Sequence, residues 1–207
     1  MARFFEVHPE NPQQRALDQV VTILRDGGVI AYPTDSGFAL GSLFGNHSGA
    51  DRIRAIRELD ERHHMTVVVS EFGQLGRYVD MDNRVFRAIK ATTPGPYTFI
   101  LRATREVPRI MQHPKKRTIG VRVPSHVTTL ALLDALGEPL VSSTLIAPGE
   151  TEAMSDGWQV KEEFDHLLDA VLDSGDVLPE PTTVIDLTGD EPEVTRRGAG
   201  DPALFEA

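Results

Sequence analysis

The chain has 207 residues, enough for one domain with a substantial core, and its lack of cysteine excludes disulfides, thiol catalysis and cysteine metal sites. Its 21 Lys and Arg against 31 Asp and Glu give a formal net charge of −10, so no global attraction to nucleic acid is expected. No apolar run approaches the ~20 residues of a membrane helix, and the N-terminus lacks the apolar core of a signal peptide. We therefore expect a cytoplasmic protein without membrane contacts.

The first predicted elements are a strand and a helix. Phe4 and Phe5 indicate the strand, and Asn11 followed by Pro12 is typical of a helix start. The helix that follows has apolar residues at helical spacing, namely Leu17, Val20, Val21 and Leu24. A Gly-Gly pair after them predicts its end.

A strand, a polar turn and a second strand come next. The apolar run 29–32 predicts a buried strand, which Pro33 should end because proline has no N–H to donate. The turn 34–37 places three oxygen-bearing side chains, Thr-Asp-Ser, before a glycine, and the apolar run 38–40 follows. An α/β protein commonly places ligand groups in such a turn, although an ordinary β-turn is the alternative.

Helices and strands continue to mix along the rest of the chain. Serines are predicted to cap two later helices and a short helical turn, namely Ser48, Ser125 and Ser70. The apolar residues of the predicted helices are Ile53 and Ile56; Val85, Phe86 and Ile89; Leu130, Leu133 and Leu136; and Val160, Phe164, Leu167, Leu168 and Val171. Strand-like runs occupy 65–69, 97–101, 118–123, 140–146, 183–187 and 193–196. The polar segment 150–156 predicts a mobile surface loop.

These elements mix without strict βαβ alternation, and short connections such as 32–38 and 187–194 indicate antiparallel neighbours in a mixed sheet. We therefore predict an α/β fold, a single domain over residues 1–207 with a twisted open mixed sheet and flanking helices.

Several segments resemble the YrdC family, whose best-known members make threonylcarbamoyl-adenylate, the precursor of a modified adenosine in tRNA. Residues 32–41 resemble its YPTET-YGLG signature, in a spelling similar to that of the YciO-like branch. Residues 94–101 resemble its PGPLT-IL segment, 120–124 its V-x-R-x-P motif and 181–186 its PST-VD motif. The resemblance spans nearly the whole chain and implies the family's twisted, open α/β sheet.

The resemblance also implies a site with two halves. The residues that would bind the threonine side are Thr34, His63, Arg122, Ser142 and Thr182. The residues that would bind the nucleotide side are Arg57, Thr98, Thr144 and Arg197.

Arg122 also attracts attention from the residues alone. It lies inside an otherwise apolar strand, where an unpaired charge is strongly penalised, so it needs an anionic partner. In the synthases the matching arginine holds the threonine carboxylate or its carbamate product, and we favour a ligand over a structural aspartate.

His63 and His64 form a pair that invites a metal interpretation. Adjacent residues on a strand point to opposite faces, and no carboxylate spacing accompanies the pair, so we predict no protein-bound metal. In the family, a residue near His63 approaches the threonine site.

Three nucleotide-binding elements of the family are altered together. Arg57 stands where the synthases have the lysine of a Lys-x-Arg pair, and Leu59 stands where they have the arginine. Ile146 and Pro148 replace the Asn and the second Ser of the T-S-A-N-x-S-G segment. Arg54 or Arg62 could supply the missing cation. We expect the pocket to persist and its chemistry to be weakened or altered.

Two functions follow from the resemblance. The first is a synthase-like reaction of threonine, bicarbonate and ATP, with Mg²⁺, that yields threonylcarbamoyl-AMP and pyrophosphate. The alternative is binding of double-stranded RNA or tRNA without synthase activity, through the basic clusters at 52–64, 115–117 and 196–197. A plainer possibility is a nucleotide-binding relative that acts on another small substrate.

Overall fold

Ten strands and five α-helices form the part of the chain that the computed structural model describes, residues 1–206. The strands are β1 (Arg3–Glu6), β2 (Val29–Thr34), β3 (Gly37–Leu43), β4 (Thr66–Val68), β5 (Tyr97–Arg102), β6 (Thr118–Arg122), β7 (Leu140–Thr144), β8 (Ala170–Asp173), β9 (Thr183–Asp186) and β10 (Glu193–Arg196). The helices are α1 (Gln14–Arg25), α2 (His47–Arg57), α3 (Asn83–Thr92), α4 (Val127–Leu136) and α5 (Gly157–Phe164). None of these helices is long and apolar enough to cross a membrane.

The strands form one sheet in the order β1-β8-β2-β3-β7-β4-β6-β5-β9-β10. Parallel pairs join β1 to β8, β8 to β2, β4 to β6 and β5 to β9, and the other neighbours are antiparallel. The predicted mixed α/β sheet is therefore confirmed. The two predicted hairpins, β2–β3 and β9–β10, are confirmed as well.

The core has two sides because residues of a strand alternate between the faces of the sheet. All six residues of β2 are buried; Val29 and Ala31 belong to the apolar cluster on one face, and Ile30 and Tyr32 to the cluster on the other. Residues of α2, α3 and α5 complete the first cluster, and those of α1 and α4 the second. α1 and α4 leave part of the second face uncovered, and there β4, β5 and β6 present polar residues. The residues next to them in sequence point to the first face and belong to its apolar cluster. This part of the sheet holds the candidate site.

Two helix starts differ from the prediction. Gln13 occupies the N-cap position of α1, without a side-chain bond, instead of Asn11. Asn46 caps α2 instead of Ser48, because its side chain accepts an N–H of the first turn at 3.0 Å and also donates to the carbonyl of Gly27 at 3.0 Å. The second contact joins the helix start to the loop before β2, which the local sequence pattern does not reveal.

The predicted cap at Ser125 is also wrong. His126 occupies the N-cap position of α4, and the Ser125 hydroxyl donates to Asp35 Oδ2 at 2.9 Å. A tertiary partner has therefore replaced the local role that the sequence suggested for this serine.

Pro33 does not end β2, contrary to the prediction. It lies opposite Phe38 in the β2–β3 pair. Phe38 uses its backbone elsewhere, donating to the Met154 carbonyl at 2.8 Å and accepting from the Leu145 N–H at 2.8 Å. Pro33 and Phe38 are thus a non-hydrogen-bonded pair, in which the missing N–H leaves the ladder intact.

The last predicted helix is too long. α5 ends at Phe164, and Val171 lies in β8, a strand that the sequence analysis missed. All four residues of β8 are buried between β1 and β2. A short run of buried residues cannot be assigned to a helix or a strand by periodicity alone.

The segment 150–156 is anchored to the sheet at its middle, although it was predicted to be a mobile surface loop. Met154 is buried, and its N–H donates to the Leu145 carbonyl at 2.9 Å while its carbonyl accepts from Phe38. The segment therefore packs against the turn between β2 and β3.

Candidate functional site: a cation-lined cleft

A cleft of about 320 Å³ lies on the second face of the sheet, beyond α1 and α4. Its floor comes from β4, β5 and β9, and its rim from the loop after α2, the end of β7 and β10. The lining residues are Arg57, Arg62, His63, His64, Thr66, Thr98, Ile100, Ser143, Thr144, Ile146, Thr182, Val184 and Arg196. An inner cavity of about 30 Å³ shares four of these residues and extends the cleft to Tyr32, Thr34, Arg122 and Ser142.

The floor of the cleft is rich in hydroxyl groups. Thr98 and Thr182 lie with their hydroxyl oxygens 3.0 Å apart. Between β4 and β5, Gly120 leaves room for these side chains, because a Cβ atom there would lie 2.8 Å from Thr66 Oγ1 and 3.4 Å from a methyl of Thr98. Any larger residue would displace the threonines, so the glycine keeps the floor open.

The walls of the cleft are positively charged, although the molecule as a whole carries a net charge of −10. Arg57, Arg62 and Arg196 line it, and the lining set contains no Asp or Glu. Arg196 donates from Nε to the Thr182 carbonyl at 3.0 Å and from a terminal nitrogen to the Thr182 hydroxyl at 2.9 Å. Burial lowers the pKa of Arg196, and the nearby charge of Arg122 lowers it further. An anionic ligand would relieve this repulsion.

Arg57 connects α2 to the end of β7. Its Nε donates to the Thr144 carbonyl at 2.6 Å, and a terminal nitrogen donates to the Ile146 carbonyl. Burial lowers the pKa of this guanidinium. Because two of its donors already have acceptors, only part of the guanidinium remains for a ligand.

His63 and His64 both line the cleft, which corrects the expectation that they point to opposite faces. They lie in the loop before β4, where the alternation of a strand does not apply. Burial, followed by the charge of Arg57, lowers the pKa of His63. Burial, followed by His113, lowers the pKa of His64 to about 4, and His64 Nε2 lies 2.7 Å from Thr118 Oγ1. His64 is therefore neutral near pH 7.

Arg122 has an aspartate partner, whereas we had favoured a ligand. It forms an ion pair with Asp35, and a second terminal nitrogen donates to the Ser36 hydroxyl at 2.8 Å. The other oxygen of Asp35 accepts from Ser125. Arg122 Nε is buried and has no hydrogen-bond partner within residues 1–206. The charge of the inner cavity is thus neutralised by the chain itself.

The remaining inner hydroxyls are also bonded within the chain. Tyr32 lies 2.7 Å from Ser142, whose hydroxyl donates to the Leu40 carbonyl at 2.7 Å. Burial raises the pKa of Tyr32 to about 12, so the phenol is protonated near neutral pH. Thr34 donates to the Gly37 carbonyl at 2.7 Å and so closes the turn between β2 and β3.

The structure brings eight of the nine predicted site residues together. Arg57, His63, Thr98, Thr144 and Thr182 line the cleft, and Thr34, Arg122 and Ser142 line the inner cavity. Their roles toward a ligand stay predictions. Arg197 is the exception: it lies outside both spaces, exposed and paired with Glu206.

The predicted site residues did not include His64, Thr66 or Arg196, which line the cleft, whereas Arg62, considered as a replacement for the missing cation, lines it as well. Arg196 lies opposite Val184, another lining residue, in the β9–β10 pair. The register of β10 shifts between Val194 and Arg196, so strict alternation from Val194, which packs on the first-face core, would have turned Arg196 away from the cleft, and no sequence signal indicates its direction. No sequence signal indicates the direction of Arg62 or His64, since both lie in a loop.

No group of three His, Asp or Glu side chains in the described chain is placed to hold a metal ion. The cleft instead combines arginines, hydroxyls and neutral imidazoles, which are donors suited to phosphate or carboxylate oxygens.

Fold and site together define an α/β protein with an open mixed sheet and a cleft lined by arginines. The model of the Sua5/YciO/YrdC family, described as "Telomere recombination", matches residues 22–198. The chain therefore belongs to the Sua5/YciO/YrdC family.

Two relatives, one of them with a crystal structure, show where the chain stands within that family. It is 47% identical to YciO of Escherichia coli K12, over 99% of this chain and 100% of the relative. It is 31% identical to a threonylcarbamoyl-AMP synthase of Vibrio vulnificus, over 66% of this chain and 74% of the relative. The crystal structure of E. coli YciO matches with a TM-score of 0.96 at 46% identity, over 99% of this chain and all of that chain.

A more distant structure shares the fold. Sua5 of P. abyssi, complexed with L-threonine, matches with a TM-score of 0.87 at 23% identity. The match covers 94% of this chain and 57% of Sua5.

Proposed function

We propose that the cleft binds ATP and that the protein is a synthase-like enzyme with weakened turnover. In the proposed reaction the amino group of threonine attacks bicarbonate, and an oxygen of the resulting carbamate attacks the α-phosphate of ATP. The products are threonylcarbamoyl-AMP, pyrophosphate and water, and Mg²⁺ would arrive with the triphosphate.

The observation that carries this proposal is the charge of the cleft. A space of about 320 Å³ lined by three arginines and no acid, in a molecule with a net charge of −10, suits a polyanion of nucleotide size. The floor continues toward Arg122, so a second, smaller ligand group would lie next to the nucleotide. The named synthase relative and the threonine complex of Sua5 support the same assignment of substrates.

Weak turnover is expected from the way the chain uses its own cations. Arg57 bonds to two backbone carbonyls, and Leu59 is not among the lining residues. Ile146, at the family's asparagine position, contributes a side chain without polar atoms to the cleft. Losing one donor toward the transition state costs about 10²–10³ in rate, whereas ground-state affinity falls less.

A second reason to expect weak turnover is the limited space for threonine beside Arg122. The inner cavity of about 30 Å³ is small beside the cleft of about 320 Å³. Threonine can bind beside Arg122 only if the ion pair with Asp35 opens or the turn between β2 and β3 shifts. The free energy needed for that change would lower the affinity for threonine.

Calorimetric titration with ATP, with and without threonine, tests the binding step. Pyrophosphate release, measured side by side with a family synthase, tests the chemistry. We expect ATP to bind and turnover to be at least about a hundredfold lower than that of the synthase. Equal turnover would contradict the weakened site, and absence of ATP binding would contradict the nucleotide assignment.

A second candidate, binding of double-stranded RNA or tRNA, is favoured by a basic surface beside the cleft. A depression of about 410 Å³ that includes Thr118, the partner of His64, is lined by three cations, Arg102, Lys116 and Arg117, and one acid, Asp80. Such binding would rest on phosphate contacts, so it should be modest and salt-sensitive. Mobility shifts with duplex RNA at low and moderate salt test it, and no shift even at low salt would remove this candidate.

A further inference from the structure

Four arginines line the cleft and its inner cavity, and three of them are bonded within the chain. Arg57 and Arg196 donate to backbone carbonyls, and Arg122 pairs with Asp35. Arg62 differs: within residues 1–206 its guanidinium makes no hydrogen bond or ion pair, and it is exposed at the rim. All five of its N–H donors are therefore available to a ligand.

The loop after α2 places Arg62 at the rim of the cleft. Glu58, the C-cap residue directly after α2, has φ 51° in the left-handed region, which turns the chain at this point. Asp60 Oδ1 then accepts the N–H of Arg62 at 2.8 Å and that of His63 at 3.0 Å. Both residues line the cleft, so the carboxylate of Asp60 holds a cation and an imidazole at the same rim.

Neither Arg54 nor Leu59, which lie near the end of α2, places a cation at the rim of the cleft. Arg54 turns away from the cleft, since it pairs with Asp51 at 3.3 Å and donates to the Ile110 carbonyl. Leu59 is partly buried and its N–H returns to the Arg54 carbonyl at 2.9 Å. The charge absent at position 59 is thus available from position 62.

We infer that Arg62 is the principal phosphate-binding residue of the cleft and that it selects nucleoside triphosphates over monophosphates. This inference rests on the proposed nucleotide site and adds a residue and a selectivity to it. A guanidinium with free donors can bind two oxygens of neighbouring phosphates at once. Its contribution should therefore increase with the number of phosphates, whereas a nucleoside monophosphate is bound mainly by the fixed donors of Arg57, Thr182 and Arg196.

Titration of ATP, ADP and AMP into the wild-type chain, R62A and R62K tests the inference. We expect R62A to lose about tenfold to a hundredfold in ATP affinity, with AMP affinity nearly unchanged and R62K in between. R105A is the matched control, because Arg105 is an exposed arginine outside the cleft. Removing a side chain without partners should leave the melting temperature unchanged.

Inorganic tripolyphosphate separates the two levels of the proposal. If tripolyphosphate binds the wild type and not R62A while ATP binds neither, Arg62 is a phosphate-binding residue and the nucleotide assignment fails. If ATP binds R62A as tightly as the wild type, the role of Arg62 is overturned and the nucleotide site stands. If neither probe binds the wild type, both are overturned.

Discussion

At the scale of single residues, the pair of Asp35 and Arg122 decides what the inner cavity can hold. The two side chains are 16% and 8% exposed, and the carboxylate also accepts from Ser125. Removing one partner of such a pair leaves a desolvated charge, whereas the intact pair leaves little net charge for a ligand. Asp35 therefore acts as an internal competitor for any ligand carboxylate.

We expect Asp35→Asn to strengthen the binding of threonine in the presence of ATP by about tenfold, since the charge of Arg122 becomes available to the ligand. The same change should lower the free energy of unfolding by up to about 3 kcal/mol. Calorimetry and urea denaturation measure the two effects. Ser125→Ala, which keeps the ion pair, is the control and should leave threonine affinity unchanged; weaker threonine binding in Asp35→Asn would contradict the competition.

The lowered pKa of His64 predicts how the stability of the folded protein changes with pH. Its pKa is about 4 in the folded protein, below the ordinary 6.5, so the unfolded chain binds more protons between these values. The stabilising contribution of the neutral ring is complete above pH 6.5 and is lost as the pH falls toward 4. Urea denaturation across this pH range should show that the free energy of unfolding depends less on pH in His64→Gln than in the wild type. His47→Gln, at an exposed position, should keep the wild-type slope; an equal slope in His64→Gln would contradict the assignment.

At the scale of elements, the turn between β2 and β3 depends on its packing partner. Gly37 has φ 86°, and a Cβ atom there would lie 2.5 Å from the Cβ of Ala153. Gly45 has nearly the same conformation, φ 89°, with no atom within 4 Å of a Cβ. Substitutions at the two glycines therefore distinguish the cost of backbone strain, present at both, from the cost of the contact with the segment 150–156, present only at Gly37.

We expect Gly45→Ala to cost about 1 kcal/mol of unfolding free energy, from the left-handed backbone alone. Gly37→Ala should cost clearly more, because the segment 150–156 must move as well. Chemical denaturation of both variants measures the difference. Equal losses of unfolding free energy in the two variants would show that the segment 150–156 moves away from the turn without a measurable cost.

At the scale of the whole molecule, the order of the strands predicts cooperative unfolding. β1 and β2 are both joined through β8, which comes from late in the chain, so no half of the sequence completes its part of the sheet alone. Trp158, the single tryptophan, stacks on Phe4 of β1 with ring centroids 4.1 Å apart and reports on this end of the sheet.

We expect tryptophan fluorescence and far-ultraviolet circular dichroism to show coincident urea transitions, as one cooperative domain requires. The cleft lies among β4, β5 and β9, toward the other end of the sheet. ATP, if it binds there, should shift both transitions to higher urea together. A fluorescence transition that precedes the circular-dichroism transition would instead indicate two separately folding parts.

The amino-acid sequence by itself determined the mixed sheet and its hairpins, because apolar periodicity and turn residues are legible along the chain. Thr98, Thr144 and Thr182 were predicted as site residues from the resemblance of their motifs to the YrdC family, and the structure places all three in the lining of the cleft. The same patterns did not reveal β8 or the caps of α1, α2 and α4, which depend on contacts between distant residues.

Only the tertiary structure decided which charged groups face the cleft and which are already paired. Asp35 and Arg122 are adjacent because the turn after β2 meets the end of β6, and no spacing in the sequence encodes that distance. Likewise, the cleft contains Arg196 instead of the predicted Arg197 because the register of β10 against β9 shifts between Val194 and Arg196, which breaks the regular alternation of the strand. The electrostatic energy of a charge depends on the separation and burial of its neighbours in space, so it is defined only once the chain has folded.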